Sequence, residues 1–235
     1  MDAQGGVLVG TGIRNVNDAL FRPFRWDVIQ GLTFYPVPRG FAAYVTTLSP
    51  DAEMAAGFAV EDTPDGVSTA VRWDAAGQLT TLATPVGRLG CEPAAISDDS
   101  RIIAGTCFQR VFVDNGYRDV PDLVRWVGDA VDVPEPLSNA DGSTAEDASA
   151  DGETIVGKIE VQGPLERRAM VWRAESGKRL LEDILRDAGI GDALSGWVLH
   201  EIVGVSDDGL VVAGNGVAPD GERAAFYAIL PRGGR

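Results

Sequence analysis

The stretch that decides the fold of this chain is Ala148-Ser149-Ala150-Asp151-Gly152-Glu153-Thr154-Ile155-Val156-Gly157, followed by Ala169-Met170-Val171-Trp172. This motif begins with a turn rich in Ser, Asp and Gly. An apolar run that ends on glycine follows, and then a polar segment and a short apolar segment that ends on tryptophan. The motif occurs five times, and the glycines that end its apolar run are Gly10, Gly57, Gly105, Gly157 and Gly214. Four of the repeats reach a tryptophan, at Trp26, Trp73, Trp126 and Trp172. A period of roughly 47 to 57 residues indicates an array of supersecondary units.

Within each repeat, apolar and polar residues alternate over short segments that are separated by turn residues, which predicts β-strands. In the third repeat the predicted strands are 92–97, 101–107, 122–127 and 130–134. Four antiparallel strands in about 48 residues are typical of a β-propeller blade. We therefore predict an all-β fold, a five-bladed propeller-like array that forms a single repeat domain. Its repeats are approximately 1–40, 41–90, 91–140, 141–196 and 197–231.

The two ends of the predicted array are incomplete. The first repeat lacks most of its first strand, and the fifth stops after its third strand near Leu230. An open array is therefore the rival to a closed one. One insertion interrupts the rhythm, because apolar residues recur at helical spacing after Lys178 and end at Gly189. They predict a short helix near 179–188 that packs on the edge of the fold and caps it.

The chain is acidic, with 35 Asp and Glu against 20 Lys and Arg and a net charge of −15. Such a surface repels phosphate backbones, which argues against nucleic acid as a partner. No apolar stretch is long enough to span a membrane. No signal peptide is evident, since Met1–Gln4 leads straight into the first repeat. We expect that an export segment has been removed ahead of it.

The chain has two cysteines, Cys91 and Cys107, which flank a predicted hairpin with its turn at 98–100. If Ser97 pairs with Arg101, the two cysteines face each other directly across the ladder, at a spacing that suits a disulfide. Two free buried thiols are the alternative. A disulfide implies an oxidising compartment, and hence an extracellular or cell-surface protein.

Two stretches, Ala148–Gly157 and Ser206–Gly214, resemble the repeats of the bacterial extracellular HAF-repeat proteins, as do the runs 169–172 and 194–197. That family is named for a His-Ala-Phe step, and this chain has no histidine at the corresponding positions. They read Arg22-Pro23-Phe24, Thr69-Ala70-Val71, Asp122-Leu123-Val124, Arg168-Ala169-Met170 and Ala224-Ala225-Phe226. The resemblance implies a secreted or surface-attached bacterial protein with propeller-like repeats. It carries over no catalytic residues.

Aspartates recur in the turns between first and second strands, at Asp51, Asp98, Asp99, Asp151, Asp207 and Asp208. In a propeller these turns lie on one face, so the carboxylates form an acidic ring that suits a hard cation such as Ca²⁺. The alternative is that Asp and Gly simply form the turns, because Asp bonds its own backbone and Gly takes positive φ. No turn has the spacing of an EF-hand, and we predict no metal site and no cofactor. The recurring tryptophans are expected to fill the space between blades.

A candidate recognition patch combines a long loop predicted at 108–119 with Trp197, which lies outside the repeat register. Strand direction puts both on the same face, and aromatic rings with interspersed Arg are residue types that stack on sugars and bond hydroxyls. Aromatic residues that merely anchor the loop are the alternative. The patch residues are Phe108, Arg110, Tyr117, Arg118 and Trp197.

No strong catalytic motif is present. The single histidine, His200, lies in an apolar context and is expected to be structural, and Ser195 is in no nucleophile elbow. We therefore predict a non-catalytic extracellular binding or scaffold module for a glycan or a protein. The alternative is a glycoside hydrolase with paired carboxylates at the central channel. A structural segment of a longer surface repeat protein is the third hypothesis.

Overall fold

A computed structural model describes the chain except residues 3–4, 16–17, 64–65, 114–115, 139, 162–165 and 233–235. In this part of the chain, strands form five antiparallel sheets that follow one another in sequence. The first sheet contains β1 (Val7–Asn15), β2 (Asp18–Asp27) and β3 (Gly31–Phe34). The second contains β4 (Phe41–Leu48), β5 (Met54–Glu61), β6 (Ser68–Asp74) and β7 (Leu79–Thr81).

The third sheet contains β8 (Gly90–Ile96), β9 (Ile102–Val113), β10 (Gly116–Val127) and β11 (Ala130–Asp132). The fourth contains β12 (Ala140–Ala148), β13 (Thr154–Val161), β14 (Glu166–Arg173) and β15 (Gly177–Leu180), followed by α1 (Leu181–Asp187) and a 3₁₀ turn (Gly191–Leu194). The fifth contains β16 (Val198–Val205), β17 (Val211–Val217) and β18 (Arg223–Ile229). The prediction of an all-β fold is confirmed. No helix in the described ranges has the length and apolar character needed to cross a membrane.

In the described residues, the first and fifth sheets have three strands each, and they lack different strands. The closing glycine of a complete repeat lies on the second strand, as Gly57 does on β5, whereas Gly10 lies on β1. The first sheet therefore lacks the inner strand, and the fifth lacks the outer one. Each sheet packs on the next in sequence, but no strong contact joins the first sheet to the fifth in the described ranges. The array is thus open between its ends.

The second, third and fourth sheets each have two different apolar faces. The leading face carries the repeat tryptophan and packs on the preceding sheet, as Trp126 packs against Ala56 and Ala70 of the second sheet. The trailing face packs on the following sheet, as Leu123 packs against Met170 and Trp172. The core is therefore a series of layers between sheets.

The repeat glycines are required by a bulge in the neighbouring inner strand. The pairing of β4 with β5 shifts between Val45 and Thr47, opposite Gly57, and the shift recurs opposite the repeat glycine in the third, fourth and fifth sheets. A bulge bends its strand and brings the backbone close. A Cβ at Gly57 would lie 1.9 Å from the carbonyl oxygen of Tyr44. Only glycine fits there.

The predicted disulfide is confirmed, because Cys91 and Cys107 are bonded and directly paired, with their Cα atoms 4.0 Å apart. The register at the turn differs from the prediction. The amide of Ser97 donates to Ile102 rather than pairing with Arg101. The bulge between Pro93 and Ala95 then shifts the ladder back by one residue, which restores the predicted pairing at the cysteines.

The helix is shorter than the predicted 179–188. Lys178 and Leu180 pair with Trp172 and Met170 of β14, so the chain continues as a strand up to Leu180 and α1 begins at Leu181. The apolar side of α1 contains Leu181, Ile184 and Leu185, and it joins the core between the fourth and fifth sheets. The helix and its buried apolar side agree with the prediction, but its start at Leu181 and its place between two sheets, rather than as a cap on the edge of the fold, do not.

Candidate functional site

The described parts of the predicted loop, residues 108–113 and 116–119, are paired strands at the end of a long antiparallel ladder rather than a loop, and residues 114–115 lie outside the described part of the chain. β9 and β10 pair without interruption, from Ile102 opposite Val127 to Val113 opposite Gly116. The inner strand β8 accompanies β9 only as far as Phe108, which pairs with Gly90. The hairpin beyond this point therefore extends past its own inner strand. The sequence did contain a signal for this, because the β-prone run Val111-Phe112-Val113 is followed by Asn115-Gly116, a dipeptide typical of hairpin turns.

Two aromatic rings stand exposed near the end of this hairpin. Phe112 pairs with Tyr117 across the ladder, and their ring centroids lie 5.4 Å apart with the rings edge to face. Their exposed fractions are 67% and 74%. The ladder fixes their positions, so these rings are presented to solvent by an ordered element.

Charged groups brace the hairpin on both sides. Arg110 donates two hydrogen bonds to Asp119, with distances of 2.8 and 3.0 Å from Nε and Nη2 to the carboxylate oxygens. The Arg110 side chain lowers the pKa of Asp119, mainly through this hydrogen bonding. Arg118 lies 3.5 Å from Asp141 of β12 and so ties the hairpin to the fourth sheet. Bidentate pairing fixes the geometry of Arg110.

A cleft of about 430 Å³ lies at the base of the hairpin, between the second and third sheets. Phe108, Arg110 and Asp119 contribute one side, and Val67 and Leu89 contribute apolar surface. Glu92 also lines it. Burial raises the pKa of Glu92, and a hydrogen bond from Ser68 opposes this rise only in part. Sequence reasoning missed Glu92, because its single charge on an inner strand has no motif around it.

Trp197 lies in a different pocket. It is half-buried and, with Leu185, Ile190 and Tyr227, lines an apolar pocket of about 540 Å³ beside the fifth sheet. The structure therefore brings Phe108 and Arg110 together at one cleft, sets Tyr117 and Arg118 on the same hairpin, and keeps Trp197 apart from them. Strand direction predicts on which face of the array a residue lies. It does not predict how far apart two residues on that face are when they belong to different sheets.

The acidic turns use their carboxylates within the turns themselves. The Ser149 hydroxyl donates to Asp151 at 2.6 Å and accepts the amide of Thr154 at 3.0 Å, while the amide of Glu153 donates to Asp151. The same pattern recurs at Ser49–Asp51, Ser97–Asp99 and Ser206–Asp208. Within the described ranges, no group of three or more His, Cys, Asp or Glu side chains is arranged to hold a metal ion.

A second polar cluster joins the fourth and fifth sheets. The Lys158 ammonium lies 2.6 Å from Glu146 and 3.3 Å from Glu201, which also accepts a hydrogen bond from Asn215. His200 lines a pocket of about 460 Å³ beside Glu201 and Asn215. Because Lys158 lies between the two glutamates, this cluster is an inter-sheet tie.

Comparison with known proteins gives the fold. No protein-family model matches the chain, and no curated protein does either. TolB from Acinetobacter baumannii is 12% identical and matches 99% of this chain and 53% of its own, with a TM-score of 0.55. The chain thus spans about half the length of that protein. The tricorn protease is 12% identical over 97% of this chain and 24% of its own, with a TM-score of 0.56.

A third match covers most of both chains. The putative TolB from Agrobacterium tumefaciens is 12% identical over 96% of this chain and 91% of its own, with a TM-score of 0.50. The structural neighbours are TolB-like and other β-propeller domains. At this level of identity, the likeness shows a propeller-like arrangement of sheets.

Proposed function

We propose that this protein is a non-catalytic, exported binding or scaffold module that recognises another protein through the third-sheet hairpin. The observation that carries the proposal is the exposed pair Phe112 and Tyr117 on an ordered, braced hairpin. Aromatic and arginine side chains contribute most to binding at protein interfaces. Rings that are already held in place lose little entropy on binding. A projecting hairpin also suits the surface of a protein partner.

A glycan is the second candidate ligand, and the cleft at the base of the hairpin favours it. Phe108 offers an aromatic ring, while Arg110, Asp119 and Glu92 offer polar groups around the same cavity. Sugars bind through stacking on rings combined with hydrogen bonds to their hydroxyls. The two candidates use adjoining surfaces of the same hairpin.

A binding comparison tests both ligand classes. Wild type, a Phe112→Ser/Tyr117→Ser variant and a Val86→Ser control are each applied to a glycan array and to immobilised secreted proteins. Val86 is fully exposed in a connection outside the hairpin. Binding that the double variant loses and the control keeps supports the proposal. Binding that is absent, or that all three proteins share, contradicts it.

The alternative of a glycoside hydrolase rests on one feature of the cleft. Glu92 has a raised pKa and Asp119 a lowered one, and both line the same cavity. Carboxyl groups with pKa values pushed apart are typical of an acid and base pair. Against this, Asp119 is held by Arg110. Turnover of chromogenic glycosides that Glu92→Gln abolishes would favour the hydrolase over the binding module.

The same proposal includes the wider architecture. We infer a single repeat domain over residues 1–235, built as a five-bladed propeller-like array of HAF-type repeats. The buried disulfide supports export to an oxidising compartment, outside the cytoplasm or at the cell surface. Secretion of the chain behind a natural export signal, with Cys91 and Cys107 protected from thiol labelling, is the expected result.

A further inference from the structure

The four repeat tryptophans share one register but not one environment. Trp73, Trp126 and Trp172 are each at most 4% exposed, because the trailing face of the preceding sheet covers them. The indole N–H groups of Trp73 and Trp126 also donate to Pro36 and Ala83, in the connections that enter their repeats. Trp26 of the first sheet is 41% exposed. Among the described elements, no sheet packs strongly on its leading face.

The rest of that leading face is apolar as well. Leu8, Trp26 and Leu32 lie directly opposite one another across β1, β2 and β3, and all three are exposed. The equivalent apolar rows of the second and third sheets are packed against the preceding sheet; they are Ala55-Trp73-Leu79 and Ile103-Trp126-Val131. At the first sheet the row faces solvent, which marks an interaction site.

The other end of the array presents the complementary surface. Val211 and Ile229 are paired on β17 and β18, and with Tyr227 they lie exposed on the trailing face of the fifth sheet. The residue at the register of Tyr227 in the third sheet is Arg125, which lies over the ring of Trp172 in the next sheet, 5.2 Å from its centroid. Tyr227 is therefore at the position that covers the tryptophan of a following repeat.

We propose that two copies of this chain associate head to tail, with the trailing face of the fifth sheet packed on the leading face of the first sheet of another copy. The contact continues the junction found four times within the chain, and it stacks Tyr227 of one copy on Trp26 of the other. The first and fifth sheets of one copy form no strong contact in the described ranges, so each of these faces can be covered by another copy. This surface is separate from the hairpin, and the inference stands independently of the proposed ligand.

The symmetry and charge of the contact have measurable consequences. A head-to-tail contact joins two different surfaces, so a pair of copies still has one free surface of each kind. Further copies then either close a ring or extend an open chain of copies. The net charge of −15 makes copies repel each other. Because salt screens that repulsion, association should strengthen as ionic strength rises.

Sedimentation velocity over a range of micromolar concentrations tests the proposal. Wild type should associate, more so at high salt, while Trp26→Glu and Tyr227→Asp should each weaken association roughly tenfold or more. Val86→Glu, which adds the same charge at a fully exposed position outside both faces, should associate like wild type. Circular dichroism and the thermal midpoint show that each variant is folded.

Mixing the two variants gives the sharpest result. The Trp26→Glu chain keeps an intact fifth sheet and the Tyr227→Asp chain keeps an intact first sheet, so their mixture should form a complex of one chain of each. Leu32→Asp and Ile229→Asp repeat the pair if either first variant fails to fold. A wild type that stays monomeric throughout, or variants that do not complement each other on mixing, would overturn the proposal.

Discussion

The turns between first and second strands place one residue in the left-handed region of backbone conformation. Ala52, Ser100, Gly152 and Gly209 follow the turn aspartates, with φ of 61°, 57°, 67° and 67°. Glycine takes this conformation freely, whereas a side chain is strained in it. Ser100 has a further disadvantage, because its hydroxyl is buried without a hydrogen-bond partner in the described structure. The Asp- and Gly-rich composition predicted these turns. It did not predict that Ala52 and Ser100 would adopt the left-handed conformation that glycine adopts in the other two turns.

We expect Ser100→Gly to raise the free energy of unfolding by about 1 kcal/mol, because it removes the left-handed strain. The matched change in the opposite direction is Gly152→Ala. It should lower the stability, since a Cβ there would lie 2.8 Å from the Cβ of Ile102. Urea unfolding measures both. An unchanged or lower stability for Ser100→Gly would contradict the account.

The hairpin of the third sheet shows how strand pairing was predicted in part. Cys91 and Cys107 were expected to face each other, and they do, but the turn is one residue wider than expected and the bulge compensates for it. A bulge depends on how two strands meet, and no single segment encodes it. The same limit applies at 108–119. Its run Val111-Phe112-Val113 is compatible with a strand, yet its length suggested a loop.

The disulfide joins two residues 16 positions apart and so closes a hairpin within the third sheet. Crosslinks of this loop length stabilise a fold by about 3 kcal/mol, mostly by restricting the unfolded chain. We expect Cys91→Ala/Cys107→Ala to lower the free energy of unfolding by about this amount. Wild type unfolded under strong reductant should approach the double variant, which itself should not respond to reductant. A reductant-sensitive double variant, or one as stable as wild type, would refute this.

The tie between the fourth and fifth sheets should appear as a pH dependence. Burial acts to raise the pKa of Glu201, but the hydrogen bonds from Asn215 and Lys158 lower it overall, below the ordinary 4.5. Burial acts to lower the pKa of Lys158, but Glu146 and Glu201 raise it overall. A lowered carboxyl pKa stabilises the fold above pH 4.5, and this contribution disappears as the pH falls through the lowered value.

We therefore expect Lys158→Met to be less stable than wild type at neutral pH, and to lose less stability as the pH falls below 4.5. Denaturant unfolding over a pH series measures both effects. Arg179→Met is the control, because its pair with Asp187 is exposed and such pairs contribute little. Parallel pH profiles for wild type and Lys158→Met would exclude Lys158 as the cause.

At the scale of the molecule, the order of the repeats could be predicted and their closure could not. The spacing of Gly10, Gly57, Gly105, Gly157 and Gly214 predicts successive β-sheets of one kind, and the part of the chain that the structure describes forms five. Whether the first sheet meets the fifth depends on the rotation between neighbours, which accumulates along the array. The same rotation separates Trp197 from the hairpin. Local patterns carry no information about such accumulated angles.

The position of a sheet in the array should decide how much its repeat tryptophan contributes to the free energy of unfolding. Trp126 is 1% exposed between two sheets, whereas Trp26 is 41% exposed on the open end. We expect Trp126→Ala to lower the free energy of unfolding by about 3–5 kcal/mol, the usual cost of emptying a large buried site. Trp26→Ala should lower it by about 1–2 kcal/mol, since less of its surface is buried. Urea unfolding in dilute solution, where copies do not associate, gives the comparison. Equal losses at the two positions would mean that the leading face of the first sheet is already covered within a single chain.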